Sequence, residues 1–394
     1  MSVAVLLALS LTIVSCSSKD SGPDTPPSIE VEKEMLAQAG EDVFVSIKSN
    51  TDWTLSLSYD GASSGWASLT RYSGHGDSGS QLVKCEANPD ETERAVTLTV
   101  KDMYGEASIV IYQKGTKSDA PASVRMGSPV ATAKWLELPE TDASDGLDFY
   151  HHPMMINNLK TRNYSYYYDY GARLSIWVAY PLNSTLIGGS GTRSNAWAAD
   201  PLMPASDQAI ISAGNYRGLS GMNRGHQIPS ADRYRPIANR ETFYGTNMTP
   251  QNGAFNQGVW EKLEERVRAW AKSCDTLYVV TGCVVEPRYG VASDNMGKAV
   301  IAPGAYYKAV LRYNKNGGTF GHKGYSACAI YLEHTAENAG RSINRSMSMS
   351  IRELEAKTGV NFFVNLPALV GAETANTIET EKPADIAYWW ATSY

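Results

Sequence analysis

The sequence predicts a multidomain protein in which a β-sandwich precedes a domain of mixed helices and strands. The chain has 394 residues, which is too long for a single ordinary hydrophobic core, so we expect at least two domains. Its first third contains short segments that alternate polar and apolar residues, whereas the remainder also contains helical apolar stripes. With 43% hydrophobic and 19% charged residues, the composition is that of globular domains.

The N-terminus predicts an exported protein with a lipid anchor. Residues 1–15 are predicted to be a lipoprotein signal peptide, because the apolar run 3–14 is shorter than the ~20 residues of a membrane span. Cys16 and the three residues before it resemble the lipobox of bacterial lipoproteins, in which this cysteine is acylated and attaches the protein to the membrane. An ordinary secretory signal is the alternative. Residues 16–27 are polar and Pro-rich, which predicts a tether.

Residues 28–115 are predicted to form an antiparallel β-sandwich of six or seven strands. Five segments alternate polar and apolar residues, and polar turns that contain Gly or Asp separate them. These segments are residues 29–32, 43–47, 53–57, 95–100 and 107–112. Titratable side chains do not cluster in this part of the sequence, and its one histidine, His75, lies in a Gly- and Ser-rich loop. The segment therefore supplies no candidate catalytic residue.

Three short motifs in this segment resemble BACON domains, which are immunoglobulin-like β-sandwiches of exported proteins. The motifs are residues 49–53, residues 66–69 and the closing strand that runs into residues 113–115. The resemblance implies a module that binds glycan or mucin, and a spacer is the alternative. Together with the lipobox, it implies a lipid-anchored protein of the bacterial cell envelope, with the outer membrane as the expected location.

The four cysteines beyond the lipobox predict a disulfide. Exported proteins are exposed to oxidising conditions, so we expect a bridge among Cys274, Cys283 and Cys328. Their spacing does not select the pair, and the sequence has no CxxC metal signature.

Charge is divided unevenly along the chain. Residues 1–124 carry 9 Lys and Arg against 17 Asp and Glu, whereas residues 125–394 carry 26 against 24. Proteins that bind nucleic acid without sequence preference usually have a clear basic excess. The small positive charge of the second part therefore neither requires nor excludes a nucleic-acid partner.

Residues 116–124 are a second predicted linker, and residues 125–394 are a predicted domain of mixed α and β structure. Helices and strands do not alternate regularly here. Strand-like segments are residues 174–179, 276–281, 306–313 and 326–332, and helical patterns are residues 259–273 and 350–357. A tyrosine-rich run at residues 164–170 predicts a strand with one solvent-facing side, and base stacking is the less favoured alternative.

One histidine has surroundings that suit catalysis. His226 lies among turn formers and polar side chains in residues 221–233, and an ordinary imidazole titrates near neutrality. Further along, Asn256 stands at the predicted entrance of a helix, where asparagine is a preferred cap. Glu264 and Arg268 lie four residues apart on a polar face of that helix. A structural histidine and a capped amphipathic helix with one ion pair are the alternatives.

Several motifs in this region resemble, in order, those of the DNA/RNA non-specific endonuclease family. The family belongs to the ββα-metal group, which includes secreted bacterial nucleases and mitochondrial endonuclease G. The matching motifs are Asn-Arg-Gly-His at residues 223–226, N-x-x-P-Q at 247–251, N-x-G-x-W at 256–260, E-x-x-x-R at 264–268 and the TG-x-x-FF-x-NLP block at 358–367. The resemblance covers residues 164–367 and also places an active-site arginine at Arg193.

This resemblance implies an α+β domain of the ββα-metal (His-Me finger) fold. It also implies a Mg²⁺-dependent endonuclease, with Mn²⁺ as a substitute, that hydrolyses DNA and RNA to 5′-phosphorylated products. The implied roles are general base for His226, metal ligand for Asn256, holder of metal-bound waters for Glu264, phosphate contacts for Arg193 and Arg268, a loop brace or phosphate contact for Arg224, and orientation of His226 or the metal loop for Asn247.

One motif position departs from the commonest family pattern. Asn223 stands where most members have Asp, and the missing negative charge is expected to weaken outer-sphere metal binding. Two other functions remain as alternatives. One is a catalytically silent surface lipoprotein that binds glycan or nucleic acid, and the other is a metal-dependent hydrolase of different phosphodiesters.

Overall fold

The computed structural model describes residues 25–60, 64–116, 127–156, 159–189, 191–317 and 320–391. The predicted signal peptide, Cys16 and most of the first tether lie outside these residues, as does most of the second linker. None of the described helices is long and apolar enough to cross a membrane.

Nine strands in two sheets form the N-terminal part of the described chain, which confirms the predicted β-sandwich. One sheet has the order β1-β3-β7-β5, and the other has the order β2-β9-β8-β4-β6. Their facing sides bury an apolar core that includes Trp53, Val83 and Leu98. The strands are β1 (Ser28–Val31), β2 (Met35–Leu36), β3 (Val43–Lys48), β4 (Asp52–Asp60), β5 (Ala67–Leu69), β6 (Ser73–His75), β7 (Ser78–Cys85), β8 (Arg94–Asp102) and β9 (Gly105–Gln113).

A seven-stranded antiparallel sheet is the centre of the second domain. Its order is β10-β11-β12-β15-β16-β17-β18, and β13 and β14 form a separate two-stranded sheet. The strands are β10 (Asp148–Ile156), β11 (Leu159–Asp169), β12 (Leu174–Leu182), β13 (Met222–His226), β14 (Met248–Asn252), β15 (Thr276–Ser293), β16 (Ala299–Asn314), β17 (Gly324–Glu333) and β18 (Ser348–Met349). The helices are α1 (Ser184–Ile187), α2 (Pro236–Glu241), α3 (Gly253–Phe255), α4 (Glu261–Lys272), α5 (Ile351–Thr358), α6 (Leu366–Val370), α7 (Ala372–Thr380) and α8 (Ala387–Trp390).

Helices cover both faces of the central sheet. On one face, α4 buries Leu263, Val267 and Trp270, which confirms the helical apolar stripe. On the other face, α5 and α7 contribute residues such as Leu354 and Ile378 to a second core. The sheet is therefore the middle of three layers, and its strands have no solvent-facing side where both layers are present.

The tyrosine-rich strand β11 is buried on both of its faces. Tyr164, Tyr166 and Tyr168 belong to the first core, and Tyr167 belongs to the second. All four are at most 2% exposed. The predicted strand is present as β11, but the predicted wet face is wrong, and these four rings are not available to stack on bases. On the Tyr167 side the segment before β10 covers the strand, since the Tyr167 hydroxyl donates to the Asp142 carbonyl and to the Asp145 carboxylate, both at 2.8 Å.

β15 and β16 extend well beyond the predicted segments. They continue past the central sheet as a hairpin, and β-bulges interrupt their pairing between Val284 and Gly290. Such bulges break the alternation that sequence patterns detect. The extension forms a small core with the two-stranded sheet, in which Met222 and Met248 pack near Ala292, Val300 and Ala302. The hairpin thus supports the sheet that carries His226.

The two domains touch at α2. Arg240 forms an ion pair with Glu93 of the sandwich, and its guanidinium carbon lies 4.9 Å from the centre of the Tyr112 ring. The neighbouring Asn239 accepts a hydrogen bond from the backbone N–H of Ser194, at 2.9 Å. This short helix therefore contacts both the sandwich and the segment that follows Arg193.

The expected disulfide is wrong, because Cys85, Cys274, Cys283 and Cys328 are all free thiols. Cys283 lies on β15 opposite Tyr306, whereas Cys328 lies on β17 opposite Val310. A whole strand separates these two thiols, and Cys274 follows α4. Sequence spacing could not show this, because strand pairing determines which cysteines meet.

We expect the variant Cys16→Ser, unfolded without reductant, to show four reactive thiols per chain with a thiol-specific reagent. In the folded protein Cys283 and Cys328 should be protected, because both are buried and burial raises the pKa of their thiols. The same sample unfolded with reductant is the control. Fewer thiols without reductant than with it would reveal a disulfide.

Candidate active site

The two-stranded sheet and the helix after it form a ββα unit. β13 and β14 pair antiparallel, with His226 opposite Met248 and Asn223 opposite Gln251. His226 is the last residue of β13. The chain continues from β14 directly into α3, a π-helical turn (Asn256–Trp260) and α4. The unit therefore places His226 on a strand and Asn256, Glu264 and Arg268 on one continuous helical segment.

The helical segment begins four residues earlier than expected. Asn252 is its cap, since its side-chain oxygen accepts hydrogen bonds from the N–H groups of Ala254 and Phe255 at 3.0 and 3.2 Å. The prediction that Asn256 caps the helix is therefore wrong. Asn256 instead begins the π-helical turn, an irregularity that is frequent at functional sites. Two asparagines four residues apart made the two assignments indistinguishable by sequence.

The π-helical turn packs against the loop that contains Ala339. The N–H of Val259 donates a hydrogen bond to the carbonyl of Ala339 at 3.0 Å. A Cβ atom on Gly258 would lie 2.1 Å from the same carbonyl oxygen, so only glycine fits. This close approach fixes the turn that carries Asn256.

Aromatic rings enclose His226. Its ring centre lies 5.6 Å from that of Trp197 and 5.1 Å from that of Phe243, and both contacts are edge-to-face. The residue is 9% exposed, and its Nε2 is buried without a hydrogen-bond partner. Burial, with the nearby charges of Arg193 and Arg224, lowers the pKa of His226 from 6.5 to about 3. The imidazole is therefore neutral at physiological pH.

The two arginines near His226 have different surroundings. Arg224 lies 3.4 Å from the centre of the Trp197 ring and donates a hydrogen bond to the carbonyl of Ile211 at 3.0 Å. Arg193 is exposed and uses Nε to bond the side-chain oxygen of Asn195 at 2.9 Å. Arg224 therefore braces the wall of the site, whereas Arg193 presents its terminal nitrogens to solvent.

Asn247 fixes the backbone that follows His226. Its side-chain oxygen accepts from the N–H of Ile228 at 2.9 Å, and its amide donates to the carbonyls of Ile228 and Thr242 at 3.0 and 2.7 Å. The amide is fully buried and engaged at both ends. Its surroundings match the predicted orienting role better than a metal contact.

Arg268 lies in an ion pair. Its guanidinium contacts the carboxylate of Asp232 at 3.1 Å, and the hydroxyl of Tyr180 donates to the same carboxylate at 3.0 Å. Asp232 is 1% exposed. Arg268 is therefore partly neutralised by Asp232, a partner to which the sequence assigned no role.

Lys308 is a buried cation that the sequence analysis missed. Its ammonium donates to the Thr281 hydroxyl at 2.6 Å and to the Gln227 carbonyl at 3.3 Å, and it lies 4.9 Å from the Trp260 ring centre. Burial raises the pKa of Glu264, and the charges of Lys308 and Arg268 oppose that rise. Lys308 thus links the backbone beside His226 to the helix that carries Glu264. A lysine within the apolar run of β16 was the available signal.

Asn223 has no contact with Lys308, Glu264 or Arg268 among those of the described residues. It lines a surface pocket of about 400 Å³ together with residues 215–222, and it is 3.5 Å from the amide nitrogen of Asn215. Two other histidines of this domain are held by hydrogen bonds. His152 contacts Asp200 at 2.9 Å, and His334 accepts a hydrogen bond from the N–H of Asn252 at 2.7 Å.

The ββα unit matches the arrangement implied for a nuclease of the ββα-metal class, with a neutral, buried histidine on a strand, two arginines near it and an asparagine on the adjoining helical segment. Residues 150–369, more than half of the chain, match the family described as DNA/RNA non-specific endonuclease, and the chain belongs to this family. Residues 56–114 match the BACON family, described as a putative binding domain. Both resemblances and the predicted nuclease activity are confirmed.

Several named relatives support this assignment. A protein named Nuclease from Nostoc sp. is 31% identical over 214 residues, which cover 53% of this chain and 74% of the relative. A Nuclease from Serratia marcescens is 27% identical over 233 residues, covering 58% and 79%. Mitochondrial endonuclease G from Bos taurus is 29% identical over 237 residues, covering 56% and 74%.

Replacing the buried imidazole should change how stability depends on pH. From pH 6.5 downward the unfolded state takes up a proton on His226, whereas the folded state does not until about pH 3. Wild type therefore loses unfolding free energy as the pH falls from 6.5 towards 3, whereas His226→Gln, which has no imidazole, does not lose it. Relative to the variant, we expect wild type to lose about 2 kcal/mol of unfolding free energy between pH 8 and pH 5. Chemical denaturation measures this, and a constant difference would contradict it.

Removing the charge of Lys308 should move the acidic limb of the pH–rate profile to higher pH. In Lys308→Met, Glu264 loses the charge that most favours its ionised form, so its carboxylate protonates at higher pH. We expect a shift of about one pH unit or more in kcat at fixed Mg²⁺ concentration. Thr281→Val, which removes a hydrogen-bond acceptor but keeps the charge, should leave the limb in place. An unmoved limb in both variants would exclude this electrostatic role.

Proposed function

We propose that this chain is an exported, Mg²⁺-dependent endonuclease that hydrolyses phosphodiester bonds of DNA and RNA to 5′-phosphorylated products. The observation that carries the proposal is the neutral, enclosed imidazole of His226 between two arginines. The family description and the names of the relatives support nucleic acid as the substrate.

His226 is the general base of this proposal. Because its pKa is low, the imidazole is ready to accept a proton at neutral pH, although it is a weaker base than an ordinary histidine. Nε2 is enclosed, so the proton of the attacking water would pass to Nδ1. Two side chains hold the backbone around His226 in place. Trp260 donates a hydrogen bond to the His226 carbonyl at 3.3 Å, and Asn247 accepts one from the N–H of Ile228.

The donor groups near His226 fit a magnesium ion. The side chain of half-buried Asn256 makes no hydrogen bond to the described part of the chain, nor does the carboxylate of Glu264. Mg²⁺ prefers oxygen ligands and keeps several waters, so one amide oxygen with a carboxylate nearby suffices. Asn256 would hold the ion and Glu264 its waters. When bound, Mg²⁺ stabilises negative charge on the phosphate and the leaving oxygen; Mn²⁺ offers the same chemistry.

The arginines would bind the phosphate unequally. The terminal nitrogens of Arg193 have no hydrogen-bond partner among the described residues. The charge of Arg193 lowers the pKa of His226, and the charge of Glu264 raises that of Arg193. A guanidinium fork suits two phosphate oxygens. Arg268 shares its charge with Asp232 and would contribute less, while Arg224 positions Trp197.

The N-terminal part would locate the enzyme. The proposed acylated Cys16 anchors it to the cell envelope, with the outer membrane as its site, and the sandwich binds glycan there or acts as a spacer. The ion pair of Arg240 with Glu93 supports a sandwich that rests on the nuclease rather than one that moves independently.

The test is cleavage of plasmid DNA and of RNA by protein that lacks residues 1–16. We expect cutting with Mg²⁺, none with chelator, and a loss of about 10²- to 10⁴-fold in His226→Ala. Asn256→Ala should require more Mg²⁺ for the activity that remains.

Matched controls accompany both variants. His151→Ala removes an exposed histidine, and Gln257→Ala removes the exposed amide beside Asn256. Both should cut like wild type. Equal cutting by wild type and His226→Ala would contradict the proposed role of His226 as general base. If wild type cuts neither substrate, the proposed endonuclease activity is wrong.

A further inference from the structure

An exposed aromatic ring lies beside the proposed phosphate arginine. Tyr234 is 36% exposed, and its hydroxyl is within electrostatic reach of the Arg193 guanidinium. No described residue hydrogen-bonds to its hydroxyl or stacks on its ring. The ring is thus free on a surface where most aromatic side chains of this domain are buried.

The backbone that carries this ring is rigid. The N–H of Tyr234 donates to Ile187 at 3.2 Å, and its carbonyl accepts from Gly191 at 2.6 Å. A Cβ atom on Gly189 would lie 2.2 Å from that carbonyl oxygen, so the segment before Arg193 is packed directly on Tyr234. The preceding residue, Arg233, is fully buried and bonds Asn163 through two of its nitrogens, at 2.9 and 2.8 Å.

A free ring on a fixed backbone next to a phosphate-binding arginine has the chemistry of a base platform. In a nucleic-acid strand each phosphate is flanked by sugars whose bases present π-faces, and aromatic side chains stack on such faces without sequence preference. Rigidity lowers the entropic cost of the contact. Tyr289, the other exposed tyrosine among the described residues of this domain, already packs on His334 with ring centres 4.5 Å apart.

We propose that Tyr234 is a stacking subsite for a base of the substrate strand, adjacent to the phosphate bound by Arg193. This inference rests on the proposed nuclease function. It explains how residues 125–394, with 26 Lys and Arg against 24 Asp and Glu, retain a strand: one aromatic contact supplements the few cationic ones. The contact exists before and during the reaction, so its loss should raise KM more than it lowers kcat.

The experiment uses the full-length protein and short single-stranded oligonucleotides with one cleavable phosphodiester. Each sugar beside that bond carries either a base or an abasic substitute. For wild type, removing the stacked base should lower kcat/KM by about 5- to 150-fold. Tyr234→Ala should cut the complete oligonucleotide as poorly as wild type cuts the abasic one, and removing the base should cost it less than about twofold.

Three further variants separate stacking from structure. Tyr234→Phe should behave like wild type, and Tyr234→Leu, which keeps apolar bulk without a π-face, should behave like Tyr234→Ala. Tyr72→Ala removes a 60%-exposed tyrosine of the sandwich and should have no effect. All variants should cleave the oligonucleotide that is abasic on both sides of the cleavable bond at the wild-type rate, because it offers no π-face there.

The outcomes distinguish the two proposals. If wild type cuts no oligonucleotide, the nuclease function itself fails. If wild type cuts but Tyr234→Ala and Tyr234→Leu keep the full dependence on the base, the stacking subsite is overturned and the nuclease function stands. A uniform loss on every substrate, including the oligonucleotide that is abasic on both sides of the bond, would likewise overturn it in favour of a structural role.

Discussion

The contact between Trp260 and His226 is the interaction on which the site depends. The indole N–H donates to the His226 carbonyl at 3.3 Å, and the indole is fully buried. Trp260 ends the π-helical turn that begins with Asn256, so this contact sets the position of the helix that carries Asn256 relative to the strand that carries His226. Lys308 lies against the same indole and bonds the carbonyl of Gln227. Helix, strand and central sheet therefore meet at one ring.

Burial gives these groups their chemical character. The aromatic walls and nearby arginines keep His226 neutral, and low polarity around Glu264 disfavours its charge until Lys308 and Arg268 compensate. Charges in such a region interact more strongly than in water, but each needs a partner. The pair of Asp232 and Arg268 satisfies this requirement at 3.1 Å. Among the described residues neither Arg193 nor Arg224 contacts a carboxylate, and Arg193 is the more exposed of the two.

The supporting parts of the domain lie beneath the site, and Arg193 and Tyr234 lie at its rim. The hairpin of β15 and β16 supports the two-stranded sheet, and the Ala339 carbonyl fixes the π-helical turn. The rim segment with Arg193 is attached to Tyr234 on one side and to Asn239 of α2 on the other. Because α2 also contacts the sandwich through Arg240, the N-terminal domain reaches the rim through a single short helix.

The sequence by itself determined the two-domain architecture, the family and the helix that bears Glu264 and Arg268, but not the strands β13 and β14. These features are local, since alternation, apolar stripes and ordered motifs such as residues 223–226 are written in neighbouring positions. The tertiary structure decided which side chains are buried, which thiols are close enough to pair and which charged groups meet. It buried Tyr164 and Tyr166 while leaving Tyr234 exposed, kept Cys283 and Cys328 apart, and brought Lys308 to Glu264. The physical reason is that burial, ionisation and pairing are set by partners far away in sequence, whose identity only the folded chain reveals.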